Sequence, residues 1–439
     1  MWWLISMKIF FILLCIEIIV LSKEVSFEVL KISASKNSHR LKLRGIDTSI
    51  EEARLGSVYS SLFPQLSLGY SGEYNHNFDQ TSSGSISVGD TTINATVPYE
   101  HSVALRLNYE LYHFGTTLKQ IEVSKKEIAI KKLEQCSEEV KLYRELLDDY
   151  LRAQKSQSEK KFKSSIRTLR QELYTLKQRL YAAGKESRVS VGDEAIRLID
   201  IERDIERAGM EFESSVSALA QKSYLELNPD DLQLLPLDAS SETPMNHPFY
   251  LTPQARSYEE KIAQKQSEIS MLNRSQLPVV SLYSSYYLYG SDSDSFQTGF
   301  NDIRPNSWNA GVSVRWSLFE GFKYNSESER LSLELKRISE ESELAKREFD
   351  YETRIKQEKL ERLALLTKNE TNALGEVRSK LTMTQRLRAQ GEADAVSEVS
   401  VRLEALEREL TLESEKIQQA YEAESLKLQH REVTQCTPH

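Results

Sequence analysis

The run Trp308-Asn309-Ala310-Gly311-Val312-Ser313-Val314-Arg315-Trp316-Ser317-Leu318-Phe319 decides how this chain is read. Trp308, Ala310, Val312, Val314, Trp316 and Leu318 alternate with Asn309, Gly311, Ser313, Arg315 and Ser317. Successive side chains of a strand point to opposite faces, so a period of two makes one row apolar and the other polar. Residues 101–112 repeat the pattern, with Val103, Leu105, Leu107, Tyr109 and Leu111 set against Ala104, Arg106, Asn108 and Glu110. In 65–75, Leu66, Leu68, Tyr70 and Tyr74 alternate with Gln65, Ser67, Ser71, Glu73 and Asn75. A fourth run, 279–289, is rich in tyrosine, and its phase is ambiguous.

The strands come in two pairs because the chain is written twice. Gln178-Arg179-Leu180-Tyr181-Ala182-Ala183-Gly184 recurs as Gln385-Arg386-Leu387-Arg388-Ala389-Gln390-Gly391, and at the same offset Tyr109-Glu110-Leu111-Tyr112 falls on Trp316-Ser317-Leu318-Phe319. Phe63-Pro64-Gln65-Leu66-Ser67-Leu68 likewise matches Leu277-Pro278-Val279-Val280-Ser281-Leu282. Each copy predicts a helix (24–61, then 252–275), two strands, a very long helix (116–182, then 322–389), a break at Gly184 or Gly391, and a return helix to 226 or 432. The first repeat covers 23–227, with strands at 64–76 and 101–112 and a hairpin tip near 184. The second covers 251–439, with strands at 278–289 and 308–319 and a tip near 391. Pro229, Pro236, Pro244 and Pro248 forbid regular helix between them and mark 228–250 as an equatorial linker.

Charged residues make up 28% of the chain, and only 16 Gly and 10 Pro interrupt it, which suits long paired helices. A helix of about 67 residues spans roughly 100 Å at about 1.5 Å per residue. Such a length needs packing partners throughout. Ile121, Ile128, Leu142, Leu146 and Tyr150, and likewise Leu331, Leu335, Ile338, Leu344 and Phe349, supply a coiled-coil face.

The net charge of −9 is interspersed, without a basic block, so nucleic acid is not an expected partner. Met7-Lys8 and the apolar run after it read as a signal peptide over 1–22. The seven His residues show no metal spacing, Gly184-Lys185-Glu186-Ser187 lacks the features of a phosphate loop, and no Gly-x-Ser-x-Gly occurs. Neither an enzyme nor a cofactor is expected.

Strands of roughly 10–12 residues match a tilted crossing of a bilayer. Aromatics near the strand ends, such as Tyr112, Trp316 and Phe319, suit an interfacial belt, and Arg106, Glu110 and Arg315 would line a wet lumen. The same alternation also serves a soluble sheet packed on a core. An export signal argues for the membrane, where four strands cannot close a barrel and open edges are not tolerated. Three copies would supply about twelve strands. The polar loops 77–100 and 290–307 would then face outside.

The duplicated layout, with Tyr109-Glu110-Leu111-Tyr112-His113-Phe114-Gly115 and Trp316-Ser317-Leu318-Phe319-Glu320-Gly321 resembling a Leu-Phe-x-Gly strand-to-helix junction, is similar to the TolC family of outer-membrane efflux proteins. The resemblance covers nearly the whole mature chain. It implies a mainly α fold with a membrane β-barrel portion: a homotrimer whose four strands per protomer complete a 12-stranded barrel, with antiparallel coiled-coil helices forming a periplasmic tunnel. It implies a passive outer-membrane channel of a tripartite efflux pump or type I secretion system. Such a channel works with a periplasmic adaptor and an inner-membrane transporter, and exports drugs, small toxic molecules or polypeptides from a Gram-negative-type bacterium. The alternative is a periplasmic or surface coiled-coil scaffold without a pore, which leaves the duplicated amphipathic strands unexplained.

The family's adaptor-docking tips often read Val-Gly-Leu or Val-Gly-Thr. The matching residues are Ala183, Gly184, Lys185 and Gln390, Gly391, Glu392, which keep only the glycine. A simple helix break would also need those glycines. Members can narrow the tunnel with acidic groups after the second tip. Here Ser397 and Ser400 stand at the usual acidic positions, with Asp394 and Glu398 close by as constriction candidates or as ordinary solvated charges. Cys136 and Cys436 fall at similar heights above the tips, so a bridge is conceivable, but height alone does not establish one.

Overall fold

The computed structural model describes residues 23–76, 86–88, 91–93, 97–237 and 248–436; the signal segment 1–22 and parts of the 77–100 loop and of the linker lie outside them. In chain order the elements are β1 (Lys23–Val25), α1 (Phe27–Asn37), α2 (His39–Ser60), β2 (Gln65–Tyr74), β3 (Ile86–Val88), β4 (Thr91–Ile93) and β5 (Tyr99–Tyr112). Next come α3 (Thr116–Ala182), α4 (Arg188–Ser223), β6 (Leu232–Leu234), a 3-10 turn (Phe249–Leu251), α5 (Pro253–Ser275), β7 (Val279–Asp292) and α6 (Phe296–Asn301). The chain ends with β8 (Arg304–Arg315), α7 (Lys323–Ala389), α8 (Ala395–Gln429) and a 3-10 turn (Val433–Gln435). Both long helices, α3 and α7, contain 67 residues, which matches the absence of Pro within them. Among the described residues no helix is long and apolar enough to cross a membrane.

Two compact units divide the chain, each discontinuous in sequence. The first takes 1–46, 132–256 and 343–439. Its core gathers Val25, Phe27, Leu30, Ala34 and Leu41 with Leu142, Leu146, Tyr150 and Ala153 of α3. Phe212, Val216 and Leu219 of α4, Leu232 and Leu234 of β6, and Leu428 of α8 complete it. The single helix expected over 24–61 is replaced by β1, α1 and α2. Residues 23–25 pair in parallel with 232–234, inside the supposed linker. Ser38 then leaves helical backbone at ψ 120°, where its N–H still reaches Ala34 O, while His39 N donates to Tyr224 Oη at 3.1 Å. α3 fixes the strand pair from beneath: the Tyr150 hydroxyl donates to Leu235 O at 2.6 Å and lies 3.1 Å from Val25 O, and Gln154 and Gln157 bond the same stretch. Farther along, Ile166 and Leu173 of α3 pack on Val399 and Leu403 of α8.

The second unit takes 47–131 and 257–342 and holds an antiparallel sheet ordered β2-β5-β7-β8. β5 of the first repeat is thus zipped to β7 of the second, and β2 and β8 form the edges. The last strand occupies Arg304–Arg315 instead of 308–319. Pro278 precedes its partner β7, and Trp316 turns its indole N–H to Gln276 O at 3.0 Å, so 316–319 leave the ladder. The 290–307 segment is also not all loop: β7 runs to Asp292, whose carboxylate accepts from Asp294 N and Ser295 N and starts α6. Below the sheet, Lys126–Glu260 joins α3 to α5 and Lys265–Glu334 joins α5 to α7.

Candidate functional site

The strand register carries the two-face pattern across all four strands. One face shows rows such as Leu66–Leu107–Ser284–Ala310 and Leu68–Leu105–Tyr286–Trp308, continued by Tyr109–Leu282–Val312 and Tyr112–Val280–Val314. Its apolar groups are open in one chain: Leu68 is 73% exposed, Trp308 68% and Val314 67%. The other face carries Gln65–Asn108–Tyr283–Gly311, Ser67–Arg106–Ser285–Asn309 and Glu110–Ser281–Ser313, with Arg315 opposite Val279. Arg106, Glu110 and Arg315 therefore share this polar face, and the Arg106 guanidinium lies 5.9 Å from the Tyr287 ring centre. A bulge between Glu110 and Tyr112 keeps both faces consistent to the strand end. The ambiguous run 279–289 is resolved by its neighbours: Tyr283, Tyr287 and Tyr289 join the polar face, and Tyr286 the apolar one.

Sequence reasoning missed His101. It sits in register between Gly72 and Gly290, fully buried, with α6 packed over it. Its Nδ1 meets the Tyr70 hydroxyl and its Nε2 the Phe296 carbonyl, both at 2.9 Å. A methyl group at Gly290 would stand 2.4 Å from Gly299 O, so this seat needs the missing side chain. Two glycines flanking a polar residue across a sheet are the one signal that could have found it, and they become adjacent only once the register is known.

The hairpin tips are copies of each other. Gly184 has φ +71° and Gly391 φ +80°. Lys185 N bonds Leu180 O at 2.8 Å and Glu392 N bonds Leu387 O at 2.9 Å, a six-to-one closure that satisfies carbonyls at the helix ends. Ala183, Gly184, Lys185, Gln390, Gly391 and Glu392 are all exposed. Ser187 and Asp394 cap the return helices, accepting from Ser190 N at 3.1 Å and from Ser397 N at 2.7 Å. Those hydrogen bonds from Ser397 hold the Asp394 carboxyl below its ordinary range.

Glu398 is buried and ion-paired to Arg388 and Arg402 within its own hairpin. The Arg388 guanidinium bonded to it holds its carboxyl low. Glu194, fully buried on the first return helix, takes Arg170 and Lys177 at 3.2 Å each, while Arg170 also reaches Glu407 of α8 at 2.9 Å. One arginine thus links both hairpins.

Cys136 and Cys436 form a disulfide with Cα atoms 5.6 Å apart, inside the usual span for such bridges. It lies near Arg431, whose guanidinium pairs with Glu139 at 3.2 Å and stacks over Tyr143. Among the described residues no His, Cys, Asp and Glu cluster suits a metal.

Comparison with known proteins fits this geometry. Residues 33–221 match the family described as outer membrane efflux protein. No curated protein matches by sequence. The transmembrane channel CusC superposes with a TM-score of 0.76 at 14% identity, covering 92% of this chain and 91% of that one. CmeC, an outer membrane channel of Campylobacter jejuni, gives 0.73 at 14% identity over 93% of this chain and 86% of its own. The outer membrane protein VceC of Vibrio cholerae gives 0.72 at 13% identity over 92% and 94%. The fold is therefore that of TolC-type outer-membrane channels. The family match falls within the first repeat, while the likeness of fold extends over nearly the whole chain.

Proposed function

We propose that three copies of this chain form the passive outer-membrane duct of a tripartite export system, driven by an inner-membrane transporter through a periplasmic adaptor. The observation that carries this reading is the four-stranded sheet: one face is apolar and open over the rows from Leu68–Trp308 to Tyr112–Val314, and β2 and β8 end as unpaired edges. In lipid such edges must be closed, and β2 of one copy against β8 of the next closes them in a barrel of about twelve strands. The polar face with Arg106, Glu110 and Arg315 then lines the lumen.

The exposed tips, Ala183-Gly184-Lys185 and Gln390-Gly391-Glu392, are the docking points for the adaptor. Asp394 and Glu398 shape the constriction beside the second tip. Because Glu398 is offset by Arg388 and Arg402, its charge acts there as part of a triad. The cargo is drugs, small toxic molecules or polypeptides. Crosslinking in cells and identifying the inner-membrane partner separates these: a drug transporter and a protein-secretion ATPase predict different cargo. The duct itself is tested on purified full-length protein by native mass spectrometry and planar-bilayer recording. A trimer with discrete conductance steps is expected; a water-soluble, non-conducting rod overturns the reading in favour of a scaffold.

A further inference from the structure

Three helices of the first unit enclose a cleft of about 410 Å³ lined by Arg144 and Asp148 of α3, Lys356 and Lys359 of α7, and Tyr421 and Ser425 of α8. Its acids are already engaged. Glu422 accepts from Lys359 at 2.5 Å and from Gln418 at 2.8 Å, and Asp148 accepts from the Tyr421 hydroxyl at 2.6 Å. Lys155 is spent on Gln418 at 2.6 Å. Two cations remain. Lys356 donates to the Ser425 hydroxyl at 3.0 Å, and the buried Nε of Arg144 has no partner.

Among the described residues neither Arg144 nor Lys356 has a carboxylate within ion-pair distance; Glu352 and Asp148 act on both, and Glu422 on Lys356, from farther away. Burial pushes both groups below their ordinary values, and for Lys356 the neighbouring Arg144 adds to the effect. Two like charges drawn partly out of water without a directly bonded carboxylate gain from an anion that joins them. The guanidinium fork and the ammonium together present the donors that an oxyanion or carboxylate accepts.

We propose that the Arg144–Lys356 cleft is a binding site for anionic oxygen-bearing groups, phosphate or carboxylate, of molecules passing through the duct. Its position in the conduit rests on the duct reading. Leu147, which shares the core of Leu142, Leu146 and Tyr150, also lines this cleft, so the cleft lies beside that core. Three copies make a cationic ring at one level.

The test uses the detergent-solubilised full chain. Its thermal midpoint is measured in potassium phosphate and in potassium benzoate, against potassium chloride of equal ionic strength. At about ten times the dissociation constant, binding raises the midpoint by about 1.5 °C. Arg144→Gln and Lys356→Gln should each remove that rise. Neither should lower the chloride midpoint, since each relieves a buried like-charge pair. Phosphate alone raising the midpoint supports a site for the free oxyanion, and both probes doing so supports one for anionic groups on larger cargo. No rise with either probe overturns the proposal, as does a rise that persists in both variants. So does dissociation of the trimer by Lys356→Gln without any phosphate response in the parent, which assigns the cleft to a carboxylate of a neighbouring copy. Bilayer recording separates this from the duct: a protein that binds phosphate but never conducts loses the duct alone, and one that conducts but ignores phosphate loses the anion site alone.

Discussion

Cys436 is bonded to Cys136 across 300 residues of sequence, which ties the stretch after the last helix back to the first long one. A cross-link of this span limits the unfolded chain far more than the folded one, with a typical effect of about 2–4 kcal/mol. Cys436→Ser, or the parent in dithiothreitol, should melt earlier, and the parent alone should change mobility on a gel run without reductant. Equal melting with and without reductant would count against a structural role.

The tip glycines predict a purely conformational cost. A methyl group at Gly184 or Gly391 would meet nothing within 4 Å, yet both backbones are left-handed. Gly184→Ala and Gly391→Ala should each cost about 1 kcal/mol locally. The measurement is hydrogen exchange at the amides of Lys185 and Glu392, which should speed up while the distant core amides do not.

Neighbouring residues of β8 should respond oppositely to charge. Val312 belongs to the apolar face and Ser313 to the polar one. Val312→Lys should cost about 2–4 kcal/mol if it lies near the bilayer midplane, whereas Ser313→Lys should be tolerated. The yield of trimer in outer-membrane fractions reads the difference, and equal yields would falsify the assignment of faces.

The second tip should weaken in acid. The Glu398 carboxyl is held low by Arg388, so its stabilising effect is full above its unfolded value of about 4.3 and is lost as pH falls through the lower folded value. Glu398→Gln should flatten the pH dependence of tip protection below about pH 5. It should also lower protection at neutral pH, because Arg388 and Arg402 lose their shared partner.

Much of this architecture was legible because it rests on periodicity and on rare residues. The long helices were readable from the lack of breakers between 116 and 182, and the tips from Gly184 and Gly391. The strand faces followed from alternation wherever aromatics kept to one row. They failed in 279–289 because tyrosine occupies both rows there, and only pairing with β5 separates Tyr286 from Tyr287. β1 and β6 escaped notice because each contributes only three residues, too few for any pattern. The cysteine pair was undecidable because height along a helix says nothing about which way a side chain turns round it. Glu398 read as a constriction candidate or a solvated charge because its partner Arg388 lies on the far side of the turn, ten positions earlier.

The first unit cannot be finished in the order in which it is made. Leu30 and Leu146 share their cluster with Leu428. A nascent polypeptide therefore presents those apolar stripes long before their cover arrives. Contacts of such sequence separation close slowly, and the uncovered stripes invite aggregation in the meantime. A holdase chaperone that shields the early helices until α8 emerges is the natural companion of this topology, and its loss should harm biogenesis of this polypeptide more than that of a protein built from local contacts.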